Sequence, residues 1–169
     1  MKKLLLSQFN FHHKLYNNVL DDFTDEETNR RLYGDKKINH VKYIAGHLLN
    51  SQYGFSFLAG LHLEVKWDEL FVAVGKSKAR DDINYPSIQE IKAEWNDIYK
   101  PSKSALENLP DKTWNQKPPK PMDKIFENSL IFENTVAGFL AFLNHHQAYH
   151  IGQIGILRRG FGKEPMSYQ

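Results

Sequence analysis

The segment from residue 135 to residue 159 constrains the fold most, because its apolar side chains recur every three or four residues over roughly seven turns. The stripe runs in register through Phe139, Phe142, Leu143, His146, His150, Gln153, Ile154 and Leu157. This period is that of an α-helix with one buried face. Gly160 and Gly162 follow the stripe, and glycine is typical of a helix end. We therefore predict a long core helix from about Thr135 to this glycine pair.

Three other segments have the same periodicity. The first covers residues 4 to 20. Polar residues interrupt its N-terminal apolar run too early for a signal peptide, so the segment is better interpreted as the start of a helix. The second follows Asn39, a candidate N-cap, and ends at Gly60. The third follows a capping box at Ser87 and runs to about residue 109, with a kink or break expected at Pro101.

The segments between these helices have less regular patterns. Thr24 and Glu27 have the spacing of a capping box, which predicts a short helix over residues 25 to 33. Residues 63 to 74 fit either a strand or a short helix, and the prolines between 110 and 122 indicate an irregular, extended connection. Four long helices with a long connection predict an all-α protein, a four-helix bundle that departs from simple up-and-down winding, as a single domain over residues 1–169.

The composition excludes several classes of function and of metal ligand. The 22 basic and 20 acidic residues are spread along the chain, so no basic patch predicts nucleic-acid binding. No apolar run is long enough to span a membrane, which leads us to expect a soluble cytoplasmic protein. The chain has no cysteine, so any metal ion must bind histidine, carboxylate or water.

Three histidines are the candidate metal ligands. His146 and His150 are four residues apart, so their side chains project from one face of a helix, one turn apart. Both imidazoles can then reach one ion, and His47 on the facing stripe of the second helix is the best third ligand. The alternative is that these are buried histidines bonded to backbone or water, and the spacing alone does not decide between the two.

The residue next to His146 argues against proteolysis. In the zinc protease motif with the same histidine spacing, a glutamate at this position is the general base. Here the position is Gln147, which cannot accept a proton at neutral pH.

The sequence HQAYHIGQI at residues 146–154, followed by LRRG at 157–160, resembles the C-terminal signature of the DinB-like superfamily, which includes bacillithiol and mycothiol S-transferases. The sequence GHLL at 46–49 is similar to the segment where that family places its first metal histidine. The resemblance implies a bundle with up-down-down-up topology and a homodimer. It also implies a metal triad of His47, His146 and His150 that holds a divalent ion, most often zinc or nickel, with iron as a further option.

Other residues in or near the motif have more than one interpretation. Gly152 is expected to permit close helix packing, and Gln153 either braces a metal ligand or makes an ordinary interhelical hydrogen bond. Tyr149 either reaches the rim of the site or packs against the bundle. The remaining histidines are interpreted as surface or packing residues: His12, His13, His40, His62 and His145.

The function that these residues and the resemblance favour is transfer of a low-molecular-weight thiol to an electrophile through a metal-bound thiolate. Three neutral imidazoles leave the ion its full double charge, which lowers the pKa of a bound thiol without a protein base. The alternatives are hydrolysis by metal hydroxide, or a non-catalytic helical dimer that binds metal or a small ligand. The expected partners are a small-molecule thiol and its electrophilic substrate.

Overall fold

The computed structural model describes residues 1–71, 78–125, 127–128 and 132–168, and within these ranges the chain is helical without any β-strand. The α-helices are α1 (Lys2–Val19), α2 (Asp25–Asn29), α3 (Val41–Leu58), α4 (Asp68–Phe71), α5 (Ile88–Asn108) and α6 (Val136–Gly160). Short 3-10 turns occupy Leu32–Gly34, Asp111–Asn115 and Met122–Lys124. The prediction of an all-α protein is confirmed.

The four long helices α1, α3, α5 and α6 form the bundle, and contacts along their lengths give their directions. Phe9 near the start of α1 packs on Phe55 near the end of α3, with ring centroids 4.7 Å apart. Near the other end of α1, the Tyr16 hydroxyl donates to the carbonyl of Ala45 at 3.1 Å. Helices α1 and α3 are therefore antiparallel.

Helices α5 and α6 complete the topology. The Tyr99 hydroxyl of α5 donates to Asn10 at 2.8 Å, and Asn96, one turn earlier, bonds Asn17, so α5 is antiparallel to α1. Asn144 in α6 donates to the Leu5 carbonyl at 3.2 Å, whereas the later part of α6 lies beside the end of α1. Helix α6 is therefore parallel to α1, and the bundle has the predicted up-down-down-up order with a long crossover between α3 and α5.

The core fills the space between these helices with large side chains. Trp95 is fully buried and stacks on Tyr16, with ring centroids 3.9 Å apart. Other fully buried side chains of the bundle include Phe9, Phe55, Phe71, Leu48, Ile91 and Leu140. Burial of each such side chain contributes about 1.5–3 kcal/mol, so the apolar stripes read from the sequence supply the main stabilisation of the bundle.

The helix starts were predicted well except at α3. Thr24 with Glu27, and Ser87 with Glu90, form complete reciprocal capping boxes. The prediction that Asn39 caps α3 is wrong, because its Oδ1 accepts a hydrogen bond from the distant backbone N–H of Ala79 at 2.9 Å. The N-cap of α3 is the buried His40, whose Nδ1 accepts from the Tyr43 N–H at 3.0 Å.

Other boundaries correct the sequence-based expectations. Helix α5 continues through Pro101 without a break. Proline lacks the N–H that would bond the carbonyl of Asp97, but both residues are exposed, so water can bond that carbonyl. Helix α6 ends at Gly160 with Phe161 as its C-cap, and Gly162 then adopts a left-handed conformation with φ of 78°. Residues 63 to 74 were predicted to be either a strand or a short helix. Residues 63–67 are not helical and α4 follows them, while residues 72–74 lie outside the described residues.

The connection before α6 is partly ordered by Trp114. The predicted extended segment from 110 to 122 begins with a 3-10 turn in which this indole is buried. The Val136 N–H at the start of α6 donates to the Gln116 carbonyl at 2.9 Å, which anchors the connection to the last helix. Among the described residues, no helix is both long and apolar enough to cross a membrane.

Candidate metal centre

Helices α3 and α6 bring three imidazoles together at one side of the bundle. The two helices are antiparallel, since Gln52 contacts Gln147 and Gly54, further along α3, faces the earlier Leu143. In this register, His47 lies opposite the adjacent turns of α6 that carry the other two histidines. All three side chains are half-buried.

The distances within the triad are short. His47 Nε2 lies 3.0 Å from His146 Nε2. The ring centroids are 4.8 Å apart for His47 and His146, 4.9 Å for His47 and His150, and 4.5 Å for His146 and His150. One nitrogen from each ring lies within 4.8 Å of the other two. The three rings therefore converge on one point.

The distance between the His47 and His146 nitrogens fits two ligands of one divalent ion. Two nitrogens that bind one ion at about 2.0 to 2.1 Å lie about 3.0 Å apart at a right angle and about 3.4 Å apart at the tetrahedral angle. The separation between His47 Nε2 and His146 Nε2 matches the first value. Among the described residues, the triad is the one group of three or more potential ligands of this kind, and it contains no carboxylate. Three imidazoles with open positions beside them suit zinc, nickel, iron or copper.

The second nitrogen of two of the rings is held by a neighbouring oxygen. His150 Nδ1 lies 2.7 Å from Gln153 Oε1, and His47 Nδ1 lies 3.3 Å from the carbonyl oxygen of Phe71. Because both oxygens can only accept, each Nδ1 carries the proton and each Nε2 presents a lone pair. Such partners fix the tautomer and the ring orientation of metal-binding histidines. His146 Nδ1 is buried and has no hydrogen-bond partner among the described residues.

The electrostatics of the site favour neutral imidazoles. Burial, together with the nearby rings of His150 and His47, lowers the pKa of His146 to about 3. Burial also lowers the pKa of His47, although the hydrogen bond to Phe71 opposes the shift. The pKa of His150 is lowered by burial against the opposing effect of Gln153. The triad is therefore uncharged near neutral pH, which is the state that binds a metal ion.

Gln147 lies away from the triad. Its side chain is fully buried and donates from Nε2 to Gln52 Oε1 at 3.0 Å and to Ser51 Oγ at 3.4 Å, both on α3. The residue therefore joins α3 to α6 as a structural contact.

Tyr149 and Gly152 lie on the outer face of α6. The Tyr149 ring is 58% exposed and its centroid is 5.0 Å from that of His150, so it lies at the rim of the site and not in the core. The expectation that Gly152 permits close helix packing is wrong, because a Cβ at this position would meet no atom within 4 Å. The small residue that permits a close approach near the site is Gly46, beside the Phe71 ring.

The other histidines lie outside the triad, as expected. His12 is buried, and His13 stacks on Tyr99 with ring centroids 3.5 Å apart. His40 caps α3, while His62 and His145 are exposed. The residue near the triad that the sequence did not indicate is Phe71, since periodicity gives no information on a backbone carbonyl in a four-residue helix.

The chain is an up-down-down-up helical bundle in which three histidines converge between the second and last long helices, and these histidines could hold a metal ion. The sequence model of the DinB superfamily matches residues 8–154, which is most of the chain. The chain therefore belongs to the DinB superfamily, and the resemblance seen in the sequence is confirmed. This superfamily is metal-associated, and the three histidines can form its metal site.

A solved structure supports the fold independently. The crystal structure of a conserved protein from Enterococcus faecalis matches with a TM-score of 0.70 and 17% sequence identity, over 96% of this chain and 98% of that one. At this identity the similarity concerns the fold alone. The comparison with curated proteins gave no match.

Proposed function

We propose that this protein is a metal-dependent transferase that attaches a low-molecular-weight thiol to an electrophilic substrate. The observation that carries the proposal is the convergence of three neutral imidazoles, without a carboxylate, on one half-buried point. When bound there, a divalent ion supplies Lewis acidity and keeps its full positive charge, which lowers the pKa of a coordinated thiol.

The residues of the chain have distinct roles in this proposal. His47, His146 and His150 hold the ion through their Nε2 atoms, and Gln153 fixes the ring of His150 through its Nδ1–H. Gln147 is buried between α3 and α6, so the thiol proton is released to water and not to that side chain. The thiol sulfur then forms the new bond to the electrophilic atom, and the leaving group departs with its bonding electrons.

Zinc or nickel is the proposed ion, since both accept three imidazole nitrogens and keep positions for other ligands. The thiol and the electrophile would approach from the exposed side of α6. Two aromatic rings border that side, Tyr149 beside His150 and Phe142, whose centroid is 5.9 Å from that of His146. An electrophile with an apolar or aromatic group would pack favourably on them.

The test uses protein loaded with cobalt or nickel. Bacillithiol, mycothiol and glutathione are added in turn, and thiolate binding is followed by the ligand-to-metal absorption band. Transfer to monochlorobimane is then followed by fluorescence, with the His146→Ala variant as control. A band and a product that both require His146 support the proposal. Silence toward all three thiols in the loaded protein overturns it, and His146-dependent ester hydrolysis would instead favour the hydrolase.

We also propose that two copies of the chain associate. Leu4 and Phe11 on α1 and Ile156 on α6 are exposed apolar side chains, with 64%, 40% and 69% of their surface accessible. A second copy seated on the α1–α6 face would cover these side chains, since large exposed apolar patches mark interaction sites. Sedimentation equilibrium measures the mass directly, and a monomer at about 100 μM, far above typical cellular and assay concentrations, would contradict this part of the proposal.

A further inference from the structure

The short helix α4 supplies a hydrogen-bond acceptor to the candidate metal centre. The carbonyl oxygen of Phe71, the last residue of α4, lies 3.3 Å from His47 Nδ1. Since a carbonyl only accepts, this contact requires the Nδ1–H tautomer of His47 and leaves Nε2 facing His146. The tautomer and the direction of one candidate ligand therefore depend on where α4 is docked.

Helix α4 is docked on α3 through Asp68, whose Oδ1 accepts a hydrogen bond from Asn50 Nδ2 at 3.1 Å, and through the ring of Phe71. This ring is 1% exposed, stacks on Tyr85 with centroids 5.6 Å apart, and lies 6.1 Å from the Tyr43 ring. On the side of α3 it lies directly over Gly46. A Cβ at Gly46 would come within 2.2 Å of Phe71 Cε1 and Cζ and within 2.5 Å of Cε2. Since real Cβ contacts are never this short, any side chain at position 46 must displace the ring.

We propose that Gly46 and Phe71 are positioning residues for His47. Gly46 leaves the space that the Phe71 ring occupies, and the docked Phe71 holds its carbonyl against His47 Nδ1, so that Nε2 is aimed at the ion. The inference rests on the proposed metal site. It adds that Phe71, a residue outside the triad, influences the affinity of the triad for metal through its backbone carbonyl. Loss of such a partner typically weakens metal binding by about 10- to 100-fold.

The main test compares two alanine variants on the same helix. Gly46→Ala inserts a methyl group into the Phe71 ring. Gly54→Ala, about two turns later on α3, places its Cβ 3.3 Å from the flexible end of Leu143 and serves as the matched control. Competition titration of metal-free protein with zinc should show at least about tenfold weaker binding for Gly46→Ala. Gly54→Ala should bind like the wild type.

A second variant separates the metal effect from a general defect in folding. In Gly46→Ala/Phe71→Ala the ring that collides with the new methyl group is absent. Adding Gly46→Ala to a Phe71→Ala background should therefore change zinc affinity by less than about threefold, because the two effects are coupled through one contact. If Gly46→Ala weakens zinc binding as strongly in the Phe71→Ala background as in the wild type, Gly46 acts in another way and the proposal is overturned.

A readout without metal tests the tautomer directly. Two-bond ¹H–¹⁵N spectra of metal-free wild type should show His47 as the Nδ1–H tautomer, and Gly46→Ala should lose that preference. If Gly46→Ala keeps both the tautomer and the wild-type affinity while His146→Ala loses zinc, the positioning role is wrong and the metal site stands. If wild type and His146→Ala bind zinc equally weakly, the metal site itself fails.

Discussion

His47 and His146 are 99 positions apart in the sequence, yet their Nε2 atoms lie 3.0 Å apart between α3 and α6. Both rings are neutral, since burial lowers the pKa of each. In the metal-free chain a single proton between the two atoms makes this a hydrogen bond, donated by His146 because His47 carries its proton on Nδ1. Binding of an ion would replace that hydrogen bond by two metal–nitrogen bonds.

Removing one imidazole should abolish specific metal binding. We expect wild type to bind one equivalent of zinc or nickel and His146→Ala to bind none tightly, because two histidines cannot replace a converging triad. At an ion concentration of 100 times Kd, wild type should gain about 2.7 kcal/mol in unfolding free energy. Elemental analysis and calorimetry with and without the ion measure both effects.

The control for this experiment is the neighbouring residue. His145 is exposed and stands apart from the triad, so His145→Ala should bind metal as wild type does. Equal binding by His146→Ala and His145→Ala would contradict the assignment of the ligands.

Gln153 should influence the affinity for metal without binding it. Its Oε1 accepts the Nδ1–H of His150 at 2.7 Å and so holds the Nε2 lone pair toward the ion. We expect Gln153→Ala to weaken binding by about 10- to 100-fold. Gln153→Glu keeps an acceptor oxygen and should retain most of the affinity. Isothermal titration of both variants decides the point, and equal weakening would show that the hydrogen bond is not the cause.

The stability of the protein should fall on mild acidification because of His40. Burial, with smaller contributions from the nearby Arg31 and Lys42 cations, lowers the pKa of His40 to about 4. The unfolded chain titrates near 6.5, so between pH 6.5 and 4 it binds the proton and the folded chain does not. Unfolding free energy should therefore decrease as the pH falls through this window, by at most about 1.4 kcal/mol per pH unit from this residue.

The variant His40→Asn tests this dependence. Asparagine retains an oxygen that can cap α3 but does not titrate. Urea unfolding at pH 7, 6, 5 and 4 should give a shallower decrease for His40→Asn than for wild type. Identical pH profiles would assign the dependence to other groups, such as His13, whose pKa burial also lowers to about 4.

The sequence predicted those features that depend on side-chain pattern. The stripe of α6 and the capping boxes at Thr24 and Ser87 are local, so periodicity and spacing located them. The candidate triad was found for the same reason, because His146 and His150 share one helix face and His47 lies on a core-facing stripe. The structure brings the three rings together, and their role as ligands stays a prediction.

The features that the sequence did not reveal depend on contacts between distant segments. Asn39 has the chemistry of an N-cap, but its oxygen bonds Ala79, forty positions away, and the cap passes to His40. Gly152 and Gly46 look alike in sequence, yet only Gly46 has a ring pressed against it. A spacing rule cannot separate such cases, because the deciding atom belongs to another element.

Arg158 should be far more important for stability than its neighbour Arg159. The buried Arg158 guanidinium bonds Asp22 Oδ1 and the carbonyls of Asp21 and Glu164, which ties the end of α6 to the turn after α1. Arg158→Ala leaves these carbonyls without a donor and should lower the unfolding free energy by about 2–3 kcal/mol. Arg159 is exposed, so Arg159→Ala should change the unfolding free energy by less than about 0.5 kcal/mol. Chemical denaturation of both variants measures the difference, and equal values would contradict an anchoring role for Arg158.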